Sequence, residues 1–353
     1  MRALTALPGH AGSHRVEERP PPVAQEGELL VEAVAVGVCG TDREILAGDY
    51  GWAPPGRERL VIGHESLGRV LEAPTSSPFS PGSTVVGVVR RPDPVPCGAC
   101  AAGEFDMCRN GRYRERGIKE MDGYAAERWT VPEDFAVAVD PALGLRGVLT
   151  EPASVVAKAW EQIEAVGRRA WFSPRSVLVT GAGPIGLLAA LMGVQRELDV
   201  HVLDRVADGP KPDLVSDLGA HYHHAPMAEV TAGLQPDIVI EGTGVASLVF
   251  DGISGTGPYG IVCLTGVSSG GRSLQVDAGA LNRELVLEND AVIGSVNANQ
   301  RHFELAARAL AQAEPGWLDG LITRTVPLDH YEDVVEPDPA DVKVVLTFGD
   351  AHE

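Results

Sequence analysis

Ser176-Val177-Leu178-Val179-Thr180-Gly181-Ala182-Gly183-Pro184-Ile185-Gly186-Leu187-Leu188 carries the reading on which the fold turns. Ser176 to Thr180 is a buried-type strand, Gly181-x-Gly183-x-x-Gly186 a tight turn, and Ile185 to Arg196 a helix. The uncharged run from Ser176 to Gln195 has the length of a bilayer span, but its glycines and Pro184 divide it into short pieces suited to a nucleotide fold. In such a strand-turn-helix unit the first glycine permits the bend. The second lets backbone approach a pyrophosphate, and the third lets helix pack on strand.

Outward from this unit the alternation continues. Asp199 to Asp204, Pro236 to Glu241 and Gly260 to Leu264 read as further strands between helical stretches, which implies an α/β fold with a parallel sheet covered by helices on both faces. Asp204 closes the second strand 23 positions after Gly181, where an acid accepts hydrogen bonds from the adenosine ribose hydroxyls. Arg205 follows it and has the charge to meet a 2′-phosphate. Gly181, Gly183, Pro184, Ile185, Gly186, Asp204 and Arg205 are therefore the expected dinucleotide contacts, with NAD preferred and NADP as the second choice.

Upstream the period changes. Ala153 to Ala170 carries good helix formers, whereas Glu28 to Gly37, Leu60 to Ile62, Thr84 to Val89 and Arg128 to Val131 are short strands between Gly/Pro turns, the spacing of a sandwich or distorted barrel. Near the end, a helix from Arg301 to Gln312 precedes a strand from Val342 to Phe348 that is expected to return to the first domain. Residues 1–155 with 295–353 form one expected domain and 156–294 the other, the boundary lying inside a helix.

Composition agrees with two domains: 353 residues are long for a single hydrophobic core, and 41 Gly with 26 Pro indicate many turns. Lys+Arg 29 against Asp+Glu 49 leaves a net charge of −20, which repels phosphate backbones and anionic headgroups, so neither nucleic acid nor membrane is an expected partner. Met1 to His10 lacks the sustained apolar stretch of a secretory signal, and the expected location is cytoplasmic. Three of five cysteines fall between Cys97 and Cys108, a clustering that points to metal rather than to a disulfide framework.

Other metal donors lie at Cys39 in Val36-Gly37-Val38-Cys39-Gly40-Thr41-Asp42, at His64-Glu65, and at Glu151 in Thr150-Glu151-Pro152. Thiolate, imidazole and carboxylate suit zinc, which in hydride-transfer enzymes keeps three protein ligands and an open position for a substrate hydroxyl. Taken singly, Cys39 reads as a small buried hydrophobe, His64 as a core histidine and Glu151 as an acid at a helix start. Their local contexts, followed by the glycine turn, resemble the zinc-dependent medium-chain dehydrogenase/reductase superfamily over nearly the whole chain. The resemblance implies a GroES-like catalytic domain and a Rossmann nucleotide-binding domain.

Within that superfamily the chain is most similar to the glucose 1-dehydrogenase family. The likeness rests on Tyr113-Arg114-Glu115-Arg116-Gly117-Ile118, Gly123-Tyr124, Leu149-Thr150-Glu151-Pro152-x-Ser154 with Lys158-Ala159, and Gly294-Ser295-Val296-Asn297 followed by His302-Phe303. It implies zinc held by Cys39, His64 and Glu151, with Glu65 an alternate or water-bridged ligand. Thr41, Glu115, Glu151 and Asn297 would contact the sugar, Asn297 would also meet the cofactor, and Thr41 and Glu151 would be the catalytic groups. Carboxylates and amides suit a pyranose, whose hydroxyls point in fixed directions.

Two departures stand out. Many relatives hold a structural zinc on four cysteines, whereas this lobe offers only Cys97, Cys100 and Cys108, with Glu104 or Asp106 as the candidate fourth ligand or no metal at all. Asp204-Arg205-Val206 stands where some relatives carry Asn-Arg-Arg or Gly-Arg-Arg, and a carboxylate beside a 2′-phosphate is repulsive. The expected reaction is oxidation of an aldopyranose at C1 to the aldonolactone. The alternatives are a polyol, secondary-alcohol or amino-alcohol dehydrogenase on the same scaffold, or a catalytically silent relative. A homodimer or homotetramer is expected, with Gly260 to Leu264 either a sheet edge for pairing or a buried strand.

Overall fold

The computed structural model describes residues 1–268, 273–335, 338 and 340–349. The chain divides into two compact units, Met1–Ser154 with Asn297–Glu353 and Val155–Val296.

The first unit is built on strand β1 (Glu28–Val38), followed by helix α1 (Gly40–Ala47), then β2 (Glu65–Glu72), β3 (Thr84–Gly87), β4 (Arg128–Pro132) and β5 (Ala136–Ala138). Strand β1 is buried at nearly every position except Glu32, which explains why its sequence alternates only loosely: both of its faces are covered. It pairs antiparallel with β2 along one edge and with β4 along the first half of the other. Helix α1 starts where Cys39 takes the N-cap position, and a capping box with Asp42 closes its first turn.

Helix α2 (Thr150–Gly167) carries the chain into the second unit. It begins three residues before the Ala153 expected from helix propensity, because Pro152 lacks an N–H and sits in a first turn where none is needed.

The second unit is a six-stranded sheet of β6 (Ser176–Thr180), β7 (Asp199–Leu203), β8 (His221–His223), β9 (Ile238–Glu241), β10 (Ile261–Leu264) and β11 (Ala291–Gly294), in the order β8-β7-β6-β9-β10-β11 with every pairing parallel. Helix α3 (Pro184–Val194) packs on β6 and β7. A core of Leu178, Leu203, Met227, Val239, Ile253 and Val262 fills one face of the sheet. Val177, Leu178 and Val179 are fully buried, each worth about 1.5–3 kcal/mol of transfer free energy. Of the two readings of Gly260 to Leu264, the buried strand is the one found: β10 is flanked by β9 and β11, and the sheet's edges are β8 and β11.

The chain then returns to the first unit through helix α4 (Gln300–Ala311), β12 (Ile322–Pro327) and β13 (Lys343–Thr347). Strand β13 is wholly buried and pairs antiparallel with the second half of β1, Val344 opposite Val38 and Val345 opposite Gly37. That closure sets a residue from the end of the chain beside Cys39. Among the described residues no helix is long and apolar enough to cross a membrane.

Candidate active site

The site in the first unit grows from the junction of β1 and α1. The Cys39 Sγ accepts the Thr41 backbone N–H at 3.2 Å and lies 3.1 Å from His64 Nε2, while the Asp42 carboxylate accepts the Cys39 N–H at 3.0 Å. Asp42 is buried, and its Oδ1 stands 3.3 Å from His64 Nδ1. A carboxylate there selects the Nδ1–H tautomer of His64 and directs the Nε2 lone pair toward Cys39, the usual outer support of a metal-binding histidine. Burial alone would lower the His64 pKa, but the charges of Cys39 and Asp42 outweigh it and hold the imidazole well above its ordinary value. Asp42 appears in the sequence motif, yet sequence reasoning assigned it no role.

Donor atoms of Cys39, His64 and Glu65 lie within 4.8 Å of one another. Glu65 is nevertheless engaged on both oxygens by Lys343 Nζ, at 2.7 and 2.6 Å, and both side chains are buried. Gly37 makes room for that carboxylate: a Cβ at position 37 would come 2.0 Å from Glu65 Oε2. Lys343 was not foreseen from the sequence, since no local pattern ties it to a residue 278 positions away. Glu151, in the first turn of α2, lies outside the close trio but within reach of its charges. Burial pushes its carboxyl up to about 7, with Glu65 and Asp42 adding to the rise and His64 and Lys343 opposing it.

Glu115 and Asn297, 182 positions apart, meet in this unit: the Asn297 side-chain amide donates to Glu115 Oε1 at 2.5 Å. The same oxygen accepts from Arg90 Nε at 3.1 Å and Nη2 at 2.9 Å, across a short antiparallel pairing in which Arg90 faces Glu115. The Arg90 guanidinium lies 3.7 Å above the Tyr113 ring. Asn297 has φ of 63°, a left-handed conformation that asparagine tolerates better than most residues. Both groups are thus held rigidly, with Arg90 as a partner that the sequence did not reveal.

In the second unit, Gly183 caps α3 and Pro184 occupies its first turn. A Cβ at Gly186 would lie 1.7 Å from the Gly181 carbonyl oxygen, so the turn closes only with glycine there. Asp204 accepts the Ala182 N–H at 2.6 Å and the Val206 N–H at 3.2 Å, and Lys211 Nζ is 3.4 Å away. Arg205 is exposed. The loop after β9 was missed: buried Glu241 accepts from Thr180 Oγ1, from the Thr243 N–H at 2.8 Å and from the Gly244 N–H at 3.1 Å, fixing Gly242-Thr243-Gly244 at the same end of the sheet as the glycine turn.

Cys97, Cys100 and Cys108 also bring their sulfurs within 4.8 Å of one another. The Arg109 backbone N–H, 3.4 Å from Cys97 Sγ, lowers that thiol to about 6, while burial raises Cys100. Of the candidate fourth ligands, Glu104 bonds Arg301 and Asn299 and Asp106 bonds Asn299, and among the described residues the group within 4.8 Å is the three sulfurs.

Residues 145–348 match the family model described as glucose dehydrogenase C-terminus, and residues 25–141 the alcohol dehydrogenase GroES-like domain. The chain is 39% identical to a glucose 1-dehydrogenase of Methanocella arvoryzae over 358 residues, covering 99% of this chain and 100% of the relative. It is 39% identical to that of Halobacterium salinarum, covering 95% of this chain and 96% of the relative. The solved structure of Haloferax mediterranei glucose dehydrogenase in complex with NADP, Zn and gluconolactone superposes with a TM-score of 0.92 at 33% identity, covering 99% of this chain and 100% of that one.

Proposed function

The chain belongs to the glucose dehydrogenase family of zinc-dependent medium-chain dehydrogenases/reductases, and we propose that it oxidises an aldopyranose, D-glucose foremost, at C1 to the aldonolactone with NAD(P) as hydride acceptor. The observation that carries this reading is the Asp42–His64–Cys39 chain of contacts beside Glu151, in the same unit as the joined pair Glu115 and Asn297.

The donor types fit zinc: the Cys39 thiol and the His64 imidazole converge, the histidine has its outer carboxylate in Asp42, and Glu65 and Glu151 add carboxylates close by. Cys39, His64 and Glu151 would hold the ion, with Glu65 kept as an outer charge by Lys343. Bound there, zinc supplies a Lewis acid that eases loss of the substrate hydroxyl proton. Thr41, half-buried in the first turn of α1, would pass that proton from the C1 hydroxyl toward solvent. Bound NAD(P) would accept the C1 hydrogen with its electron pair, leaving C1 as the lactone carbonyl carbon, so one hydride and one proton would account for the oxidation. Glu115 and Asn297 would accept and donate hydrogen bonds to the sugar, their positions fixed by Arg90 and by each other.

For the cofactor, the turn from Gly181 to Gly186 would hold the pyrophosphate, with Asp204 and Arg205 at the adenosine ribose. Asp204 keeps a carboxylate where a 2′-phosphate would lie, which favours NAD, and the Lys211 partner makes that preference modest. Assembly as a homodimer or homotetramer is supported by exposed apolar residues of the second unit, Val286 and Leu287 in the helix Ala278–Glu288 and Val292 on edge strand β11. Five unpaired cysteines support a reducing, cytoplasmic setting.

A panel of aldoses, polyols and secondary alcohols assayed with NAD and NADP, with zinc measured on the same sample, tests this reading. Cys39→Ser should lose the catalytic zinc and its turnover. An active, zinc-free Cys39→Ser enzyme, or a wild type that turns over alcohols and no aldose, overturns it.

A further inference from the structure

We propose that Asp199, His201 and His221 form a second metal site, for a borderline divalent cation of the zinc, nickel or copper class, on the open edge of the parallel sheet, with His223 orienting His201. Strands β7 and β8 pair in parallel with His201 opposite His221 and Leu203 opposite His223. Side chains alternate along a strand with period two, so Asp199, His201, His221 and His223 all share one face. It is the face on which Leu178, opposite His201 on β6, builds the hydrophobic core. Imidazoles thus occupy positions where the neighbouring strands carry apolar side chains.

The donor atoms of Asp199, His201 and His221 lie within 4.8 Å of one another. His201 Nε2 is 3.3 Å from Asp199 Oδ2, and His221 Nε2 is 3.3 Å from Asp199 Oδ1. Metal bonds of about 2.0–2.1 Å in a tetrahedron put adjacent ligand atoms roughly 3.3 Å apart. The His201 side chain is 13% exposed, and its Nε2 is buried without a hydrogen bond despite the nearby carboxylate. Its other nitrogen, Nδ1, lies 2.8 Å from His223 Nε2, so one proton is shared between those two atoms. With that proton on His201, the Nε2 lone pair faces a carboxylate and a second imidazole, an arrangement that a cation between them satisfies. The rings stack at 4.8 Å for His201 and His221 and 5.1 Å for His201 and His223, which keeps the nitrogens aligned.

Asp199 and His221 are more than half exposed, so the cation has an open approach and water has room to complete its shell. The site opens β7, whereas Asp204 follows its far end about 16 Å away at ordinary strand rise, so it does not overlap the dinucleotide contacts. Its donors belong to a different unit from Cys39 and His64.

The test uses zinc-loaded enzyme freed of excess metal and titrated calorimetrically with Ni2+. Wild type should take up one further equivalent with a dissociation constant in the micromolar range and should gain in melting temperature. His221→Gln and Asp199→Asn, both at exposed positions, should weaken uptake at least tenfold and lose the melting shift, while sugar-dehydrogenase activity stays unchanged. His223→Phe should weaken uptake about 10–100-fold through His201 alone. No further Ni2+ uptake by wild type up to millimolar concentration, or an isotherm unchanged by His221→Gln and Asp199→Asn, overturns the proposal.

Discussion

Lys343→Met should destabilise the first unit by about 3–5 kcal/mol, the cost of leaving one charge of a buried pair without its partner. Lys343 Nζ contacts both Glu65 oxygens, at 2.7 and 2.6 Å, and the two side chains are 1% and 2% exposed. Methionine keeps most of the length and apolar contact of the lysine stem and removes only the ammonium. Glu65 is then left charged in a space shaped for it by Gly37. Burial pulls the Lys343 pKa down, but Glu65, Cys39 and Glu151 more than offset this and the net direction is up. A raised lysine contributes its full stability at any pH below the unfolded lysine pKa and loses it only as pH rises through the folded value, so the effect is complete at neutral pH. For a unit of 150–250 residues each kcal/mol moves the melting temperature by roughly 2–4 °C, giving a fall of about 6–20 °C. Calorimetric melting of zinc-loaded and zinc-stripped protein measures it. Adding Glu65→Gln to Lys343→Met removes the orphaned charge and should restore more than half of the loss. A single variant within about 1 kcal/mol of wild type, or a double variant no better than the single, would refute the reasoning.

Zinc uptake by the stripped enzyme should release protons and tighten from pH 6 to 8, because His64 and Glu151 both carry raised pKa values and must deprotonate to bind. Calorimetry in two buffers of different ionisation heat checks this, and uptake without proton release contradicts it. Glu115→Gln keeps the shape beside Arg90 and Asn297 but removes the charge, and should lower kcat/KM for glucose about 10–100-fold with little change for a simple secondary alcohol. Equal losses on both substrates would place Glu115 in the scaffold instead. Asp204→Ala should raise the NADP/NAD ratio of kcat/KM about tenfold or more, since it removes a carboxylate and releases Lys211. Initial-rate kinetics decide it, and an unchanged ratio would remove Asp204 from the ribose site.

Much of the fold was legible because its signals are local. Ser176–Thr180 was bounded correctly from the short β-type run Val177-Leu178-Val179 between Ser176 and Thr180, and the α/β character of the second unit followed from the alternation downstream of it. Helix starts were less secure: Pro152 reads as a breaker in isolation and is compatible with the first turn of α2. Whether Gly260–Leu264 lay inside a sheet or at its edge was undecided by residue type, because β-branched residues suit both places. The sulfur cluster was visible in the spacing of Cys97, Cys100 and Cys108, while the placement of Glu104 and Asp106 with Asn299 depended on a segment almost 200 residues away.

The sequence by itself determined the chemistry available to this protein: the donor types at Cys39, His64 and Glu151, the glycine turn at Gly181 to Gly186, and the acid at Asp204. These are properties of short segments, in which one or two backbone conformations dictate the residue. Only the tertiary structure decided how those groups are held. Strand β13 pairs with β1 and so brings Lys343 to Glu65, the return of the chain joins Asn297 to Glu115, and the register of β7 with β8 gathers Asp199, His201 and His221. Pairing between distant strands is set by the summed burial of whole faces rather than by any one residue, so these contacts leave no local trace in the chain.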